Sequence, residues 1–173
     1  MEITKEEATK YTGDIEPYLE TLVSIARFYK ASEDIVFFEI GVRRATSTKA
    51  ILRGLNTRFG TGKLYSVDKD DREGRVVSPE LKKHWKFILG RSEEIEWNLP
   101  IDVLFIDGDH SYEGVKTDYE KYEPLVKEGG LILIHDVTHR HFGVKDFWKE
   151  ITYPKVNLPL NGVGFGIVNK ITK

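Results

Sequence analysis

Cysteine is absent from this chain of 173 residues. That excludes a disulfide framework, a thiolate nucleophile and any cysteine-ligated metal. Glutamine is also absent and methionine occurs once, while 31% of residues are charged, a bias that fits a thermophilic source. There is no excess of one charge either: 26 basic against 28 acidic residues leave a formal −2. Nucleic acid and membrane surfaces therefore have no electrostatic claim as partners. No apolar run approaches the ~20 residues that cross a bilayer. The opening Met1-Glu-Ile-Thr-Lys-Glu-Glu7 lacks the basic and apolar regions of a signal peptide, so a cytoplasmic protein is expected. Repeats, low-complexity segments and linkers are missing too. The length suits one domain, with an N-terminal helical segment over 1–34 and a core over 35–169.

What is present centres on Ile101-Asp-Val-Leu-Phe-Ile-Asp-Gly-Asp-His110. A short β-branched and aromatic run, Val103 to Ile106, reads as a strand buried on both faces. It stops at Asp107, Gly108, Asp109 and His110, where ligands bind in open α/β sheets. Two carboxylates and an imidazole at such a place are costly to bury without a task. Asp109 and His110 could instead form a turn and a helix cap.

The same grammar recurs along the chain. Asp14 to Lys30 reads as a helix with Pro17 in its first turn. Ile35 to Ile40 reads as a strand carrying Glu39, Gly41 as a tight turn, and Thr46 or Ser47 as the cap of a helix through Leu55. Gly41 is the only glycine there, so a dinucleotide fingerprint is excluded. Glu39 could equally cap the loop amides or pair with Arg43 or Arg44. Lys63 to Asp68 is a second strand, and an acid at its end suits ribose hydroxyls because a carboxylate accepts two hydrogen bonds. A short helix opens at Ser78-Pro79 and runs through Leu81 and Trp85, and Phe87 to Gly90 is a third strand followed by Ser92. A helix over Tyr112–Val126 is predicted to end at Gly129-Gly130. Leu131 to Asp136 is a strand, Phe142 to Ile151 a helix, and 156–160 and 163–168 a hairpin turning at Asn161-Gly162. The fold class is α/β: a doubly wound, Rossmann-like sheet, mostly parallel, with an antiparallel C-terminal strand.

Glu39-Ile-Gly41, Asp68, Ile106-Asp-Gly-Asp-His-Ser-Tyr-Glu113, Gly129-Gly130, His135-Asp136 and Gly143-Val-Lys-Asp-Phe-Trp148 together resemble a class I S-adenosylmethionine-dependent methyltransferase. More narrowly, they are similar to the small-molecule O-methyltransferase-like group that includes macrolide and aminocoumarin sugar methyltransferases and cephalosporin hydroxylase-like proteins. Ala45 stands where that group commonly has a second glycine. The resemblance implies that S-adenosylmethionine is held by Glu39 and the Gly41 loop at its methionine end, by Asp68 at the ribose and by Ser92 near the adenine, with Asp107 bordering it. It implies a divalent cation, Mg²⁺ in most relatives, on Asp107, His135 and Asp136. His135 departs from the acid found in many relatives, and imidazole suits Mn²⁺, Fe²⁺ or Zn²⁺ better than Mg²⁺. His135 could also serve only to orient Asp136.

The base that takes the proton of an attacking hydroxyl would be Asp109 by family position or His110 by its ordinary pKa. His139 and His141 are expected to line a substrate entrance or face solvent. The expected activity is methylation of a hydroxyl on a small molecule or sugar. A metal-dependent hydroxylase-like enzyme and a catalytically silent cofactor-binding or assembly subunit are the alternatives. Little chain lies outside the core, so an open site, a large acceptor or a lid lent by a second subunit of a homo-oligomer would each fit.

Overall fold

The computed structural model describes residues 13–71, 77–160 and 162–171. A 3-10 turn over Gly13–Tyr18 leads into α1 (Leu19–Phe28). The sequence predicted one continuous helix from Asp14, but Pro17 lies inside the 3-10 turn and the α-helix begins two residues beyond it. There follow β1 (Ile35–Ile40), α2 (Thr46–Asn56), β2 (Gly62–Asp68), α3 (Pro79–Lys82), β3 (Trp85–Leu89) and β4 (Ile101–Ile106). The chain continues through α4 (Tyr112–Tyr122), β5 (Val126–His135), α5 (Val144–Glu150), β6 (Lys155–Leu158) and β7 (Phe165–Asn169).

The seven strands form one sheet in the order β3-β2-β1-β4-β5-β7-β6. Pairings are parallel from β3 through β5, and β7 is antiparallel to both β5 and β6. Alternation along the strands sorts the core into two layers. Phe37, Val103, Phe105 and Leu133 face α1 and α2, whereas Phe38, Leu104, Ile106 and Ile132 face α4 and α5. The doubly wound, mostly parallel α/β sheet is the one expected. Strand order reverses between β1 and β4, and the crevice above such a reversal is where open α/β sheets place their ligands.

Two expectations fail locally. The helix predicted to reach Val126 stops at Tyr122, because Pro124 sits in the 3-10 turn Glu123–Leu125 that follows. Gly129-Gly130 consequently lies inside β5 rather than capping that helix. A register shift there lets β5 pair Val126 with Ile101 and then Leu131 with Val103. The first strand of the predicted hairpin also ends short of Leu160. β6 ends at Leu158, just before Pro159, and residues 159–164 carry the chain to β7. Asn161 itself lies outside the described residues.

Candidate active site

The ends of β1 and β4 meet closely. Gly41 N–H donates to the Val67 carbonyl and Asp107 N–H to the Ile40 carbonyl, both at 2.9 Å. Gly41 has φ +89°, and a Cβ there would stand 2.0 Å from the Asp107 carbonyl oxygen. Its glycine is required by this approach of two strand ends. The loop beyond turns through Arg43 and Ala45, both left-handed, with Ala45 wholly buried at φ +61°. An alanine thus holds a conformation that glycine adopts without cost, at roughly 1–2 kcal/mol of strain.

Glu39 is fully buried, and its carboxyl accepts from Ser47 Oγ at 2.6 Å, Thr48 Oγ1 at 2.7 Å and Ser66 Oγ at 2.6 Å. Burial pushes its pKa up to about 7 against the pull of those three hydroxyls. It joins β1 to the first turn of α2 and to β2, and pairs with neither Arg43 nor Arg44 through these bonds. Asp68 Oδ2 accepts the backbone N–H of Val42 at 3.0 Å and of Arg43 at 2.8 Å, tying the end of β2 to the loop after β1. Ser92, past the end of β3, donates its hydroxyl to Asp118 Oδ1 at 2.6 Å.

The cluster at the ends of β4 and β5 is the densest in ionisable groups. His135 Nδ1 lies 3.2 Å from Asp107 Oδ1 and 3.2 Å from Asp136 Oδ2. His110 Nε2 lies 3.5 Å and 3.4 Å from the same two oxygens. Asp136 is completely buried, at φ +63°, and neither of its oxygens has a hydrogen-bond partner. Its contacts with the two imidazoles are charge contacts rather than directed bonds. Burial favours the neutral form of Asp107, but His110 and His135 outweigh it and hold the carboxyl below its usual range. Burial likewise opposes the charge on His135, yet Asp107 and Asp136 push its pKa up to about 10. The bond to Asp107 raises the pKa of His110 in the same way, against a desolvation that lowers it.

Among the described residues, one group offers ligand atoms all within 4.8 Å of one another: Asp107, His110 and Asp136. The expected set was Asp107, His135 and Asp136; both imidazoles lie on the same two carboxylate oxygens, His110 from the more exposed side and His135 from the buried one. The ring of His135 is packed inside, edge-on to Tyr18 with centroids 5.8 Å apart and beside Phe165. A pair of buried carboxylate oxygens with no bond to satisfy them is what a cation site requires of its protein. The residues present therefore fit a divalent ion.

The two candidate bases separate. Asp109 is exposed, and its Oδ1 accepts the Ser111 N–H at 2.8 Å in a turn that leads to the Ser111 cap of α4. That bond holds its pKa below the ordinary range. His110 faces the carboxylates and packs at a tilt against Phe142, with ring centroids 4.5 Å apart. Phe142 in turn stacks on His139 at 3.9 Å, and Gly143 N–H donates to the His110 carbonyl at 3.0 Å. The loop after β5 is thereby fastened to the loop after β4. His141 is exposed, and neither it nor His139 belongs to the group of Asp107, His110 and Asp136.

Sequence reading did not single out Tyr18 or Asp118. Asp118 had a legible signal: an acid between Val115 and Tyr122 on the buried face of α4. Tyr18 had none, because its partners His135 and Phe165 are far along the chain.

Residues 38–137 match the family model described as "Methyltransferase domain". An uncharacterized protein of Sinorhizobium fredii is 36% identical over 69 residues, 37% of this chain, and one of Acanthamoeba polyphaga mimivirus is 40% identical over 58 residues, 33% of it. The matched stretches span only 8% and 23% of those two relatives. Among solved structures, a Corynebacterium glutamicum protein superposes with a TM-score of 0.68 at 19% identity, covering 91% of this chain and 82% of its own. A TDP-rhamnose 3'-O-methyltransferase of calicheamicin biosynthesis gives 0.62 at 15%, covering 97% and 96%. MycE, a mycinamycin-pathway methyltransferase in complex with Mg and SAH, gives 0.58 at 16%, covering 90% and 49%. With more than half of its length matched by the family model and the sheet order in place, the chain belongs to the S-adenosylmethionine-dependent methyltransferases of class I fold.

Proposed function

We propose that this protein methylates a hydroxyl of a small molecule or sugar, with a divalent cation held by Asp107 and Asp136. The observation that carries the reading is Asp136, completely buried with both oxygens unbonded, beside Asp107 and His110. S-adenosylmethionine supplies a methyl group on a positively charged sulfur, so the acceptor oxygen needs chiefly alignment and the loss of its proton. A cation on the two carboxylates would lower the pKa of an acceptor hydroxyl and offset their charge.

The chain's own residues divide the remaining work. His110 Nε2 faces Asp107 and Asp136, so a hydroxyl seated against them lies within its reach and gives up its proton there. The carboxylates stabilise the imidazolium so formed. His135 fills the inner side of the pair and fixes the two side chains relative to each other. Phe142 backs the ring of His110. The left-handed loop 41–45 and Asp68 shape the cofactor's seat, with Asp68 held by the amides of Val42 and Arg43. The complex of MycE with Mg and SAH supports the cation, and the TDP-rhamnose enzyme supports a sugar-type acceptor.

Calorimetric titration with S-adenosylhomocysteine, with and without Mn²⁺ or Mg²⁺, tests both parts. Binding of the nucleoside, together with saturable binding of a metal that disappears in Asp136→Asn, is expected. Nucleoside binding with no metal binding would overturn the cation. No nucleoside binding under either condition would overturn the whole reading.

A further inference from the structure

Three side chains on one face of α4 converge on the two residues Ser92 and Glu93. Asp118 accepts the Ser92 hydroxyl at 2.6 Å. Lys121 Nζ donates to the carbonyls of Ser92 at 3.1 Å and Glu93 at 2.7 Å, and Tyr122 OH donates to the Ser92 carbonyl at 2.7 Å. Spacings of three and four residues put these groups on one helix face. Asp118 is 4% exposed. Burying a carboxylate there costs free energy that a surface loop does not need for its support.

Ser92 lies on the ligand side of the sheet. Gly90 N–H donates to the Asp68 carbonyl at 3.0 Å, which ties the segment leading to Ser92 to the end of β2. Asp118 Oδ2 would stand 3.3 Å from a Cβ added at Gly108, so it lies beneath the turn that follows Asp107. A nucleoside whose reactive end meets Asp107 and whose ribose meets Asp68 has its base left to place beyond β2, against Ser92. The inference rests on the proposed cofactor reading in that respect.

We propose that Asp118 is a positioning residue that sets the polarity of Ser92, so that the serine hydroxyl presents lone pairs and selects a 6-aminopurine over a 6-oxopurine. A hydroxyl has one proton. At 2.6 Å it is committed to Asp118, and the alternative acceptor, Glu93 Oε2, is 3.4 Å away. The outward side of Ser92 Oγ is then an acceptor. It matches the N–H of an exocyclic amine and opposes the carbonyl oxygen of inosine. Burial, Glu93 and Asp109 raise the Asp118 pKa to about 6 against the bond from Ser92 and the charge of Lys121, so at pH 8 the group is ionised and accepts only.

The test is the ratio of dissociation constants for S-inosylhomocysteine and S-adenosylhomocysteine at pH 8. The unmodified protein is expected to prefer the adenosyl form by about tenfold, the value of one hydrogen bond of about 1.4 kcal/mol. In Asp118→Asn an amide N–H can donate to Ser92 Oγ and release the hydroxyl to donate outward, so the preference should fall to about twofold or less. Ser92→Ala should abolish it as well. Tyr122→Phe removes a support of the Ser92 backbone without touching the hydroxyl, so it should weaken both nucleosides alike and keep the ratio. A ratio unchanged in Asp118→Asn and Ser92→Ala overturns the proposal, as does a ratio lost equally in Tyr122→Phe. Tight binding of the adenosyl form with no preference in the unmodified protein overturns it too. Failure of the unmodified protein to bind either nucleoside refutes the cofactor reading instead.

Discussion

The Cα of Gly41 sits against the backbone of Asp107 so closely that a Cβ would stand 2.0 Å from its carbonyl oxygen and 2.6 Å from its carbonyl carbon. These are backbone atoms immediately beyond the end of the central strand β4, and they cannot step aside. Gly41→Ala would combine this clash with a left-handed φ of +89°. The expected destabilisation is about 2–5 kcal/mol, summing left-handed strain and overpacking. Urea denaturation measures it. A loss under 1 kcal/mol would show that β1 and β4 can part without cost.

Glu39 makes stability depend on pH. Its folded pKa of about 7 lies above the ordinary 4.5, so the folded state holds the proton more tightly than the unfolded chain. The sign follows from linkage: stability is greatest below about 4.5, declines as pH rises to about 7 and is level beyond. The decline from this group is about 3 kcal/mol. Glu39→Gln keeps a neutral side chain that can bond Ser47, Thr48 and Ser66 but cannot ionise. Denaturation curves at pH 5 and pH 8 should show a much smaller difference between the two pH values for Glu39→Gln than for the unmodified protein. Equal differences would mean that Glu39 titrates normally.

The two candidate bases predict different losses. His110→Ala is expected to lower kcat by about 10²–10⁴-fold, the usual yield of a positioned base, while Mn²⁺ affinity changes by no more than about threefold. Asp109→Asn is expected to cost less than about tenfold, because that carboxylate is spent on the Ser111 amide. A loss of Mn²⁺ binding in His110→Ala would make the imidazole a ligand and leave the proton to another group.

Legibility in the sequence followed the range of the interactions. Strands whose apolar runs stop abruptly, such as Val103–Ile106 before Asp107 and Leu131–Ile134 before His135, announced both themselves and the site at their ends. Local breakers were misjudged where a stronger one stood nearby. Pro124 ended the helix that Gly129-Gly130 was expected to end, and Pro159 ended a strand expected to run to a tight turn. The left-handed Ala45 has no glycine to mark it. Pairings set by the folded sheet left no local trace: Ser92 with Asp118, Tyr18 with His135, or Arg58 with the carbonyls of Ala26, Lys30 and Glu33. Choosing His110 over His135 for the exposed side of Asp107 and Asp136 needed side-chain directions, which residue types alone do not carry.

Asp136 is the residue on which metal binding should turn. Its backbone is left-handed, and asparagine tolerates that conformation about as well as aspartate does. Asp136→Asn therefore keeps shape and removes one negative charge from the buried pair. A hard cation loses an ionised ligand, and Mn²⁺ affinity is expected to fall by at least about 100-fold, beyond the 10–100-fold typical of supporting partners alone. S-adenosylhomocysteine affinity should stay within about threefold, because the bonds of Glu39 and Asp68 are untouched. Electron paramagnetic resonance of free Mn²⁺ reads the first quantity and calorimetry the second. If the variant binds Mn²⁺ as the unmodified protein does, the unbonded oxygens of Asp136 serve something other than a cation. If it binds neither ligand and melts early, Asp136→Asn has disturbed the His135 contact, and Asp107→Asn then decides between metal and fold.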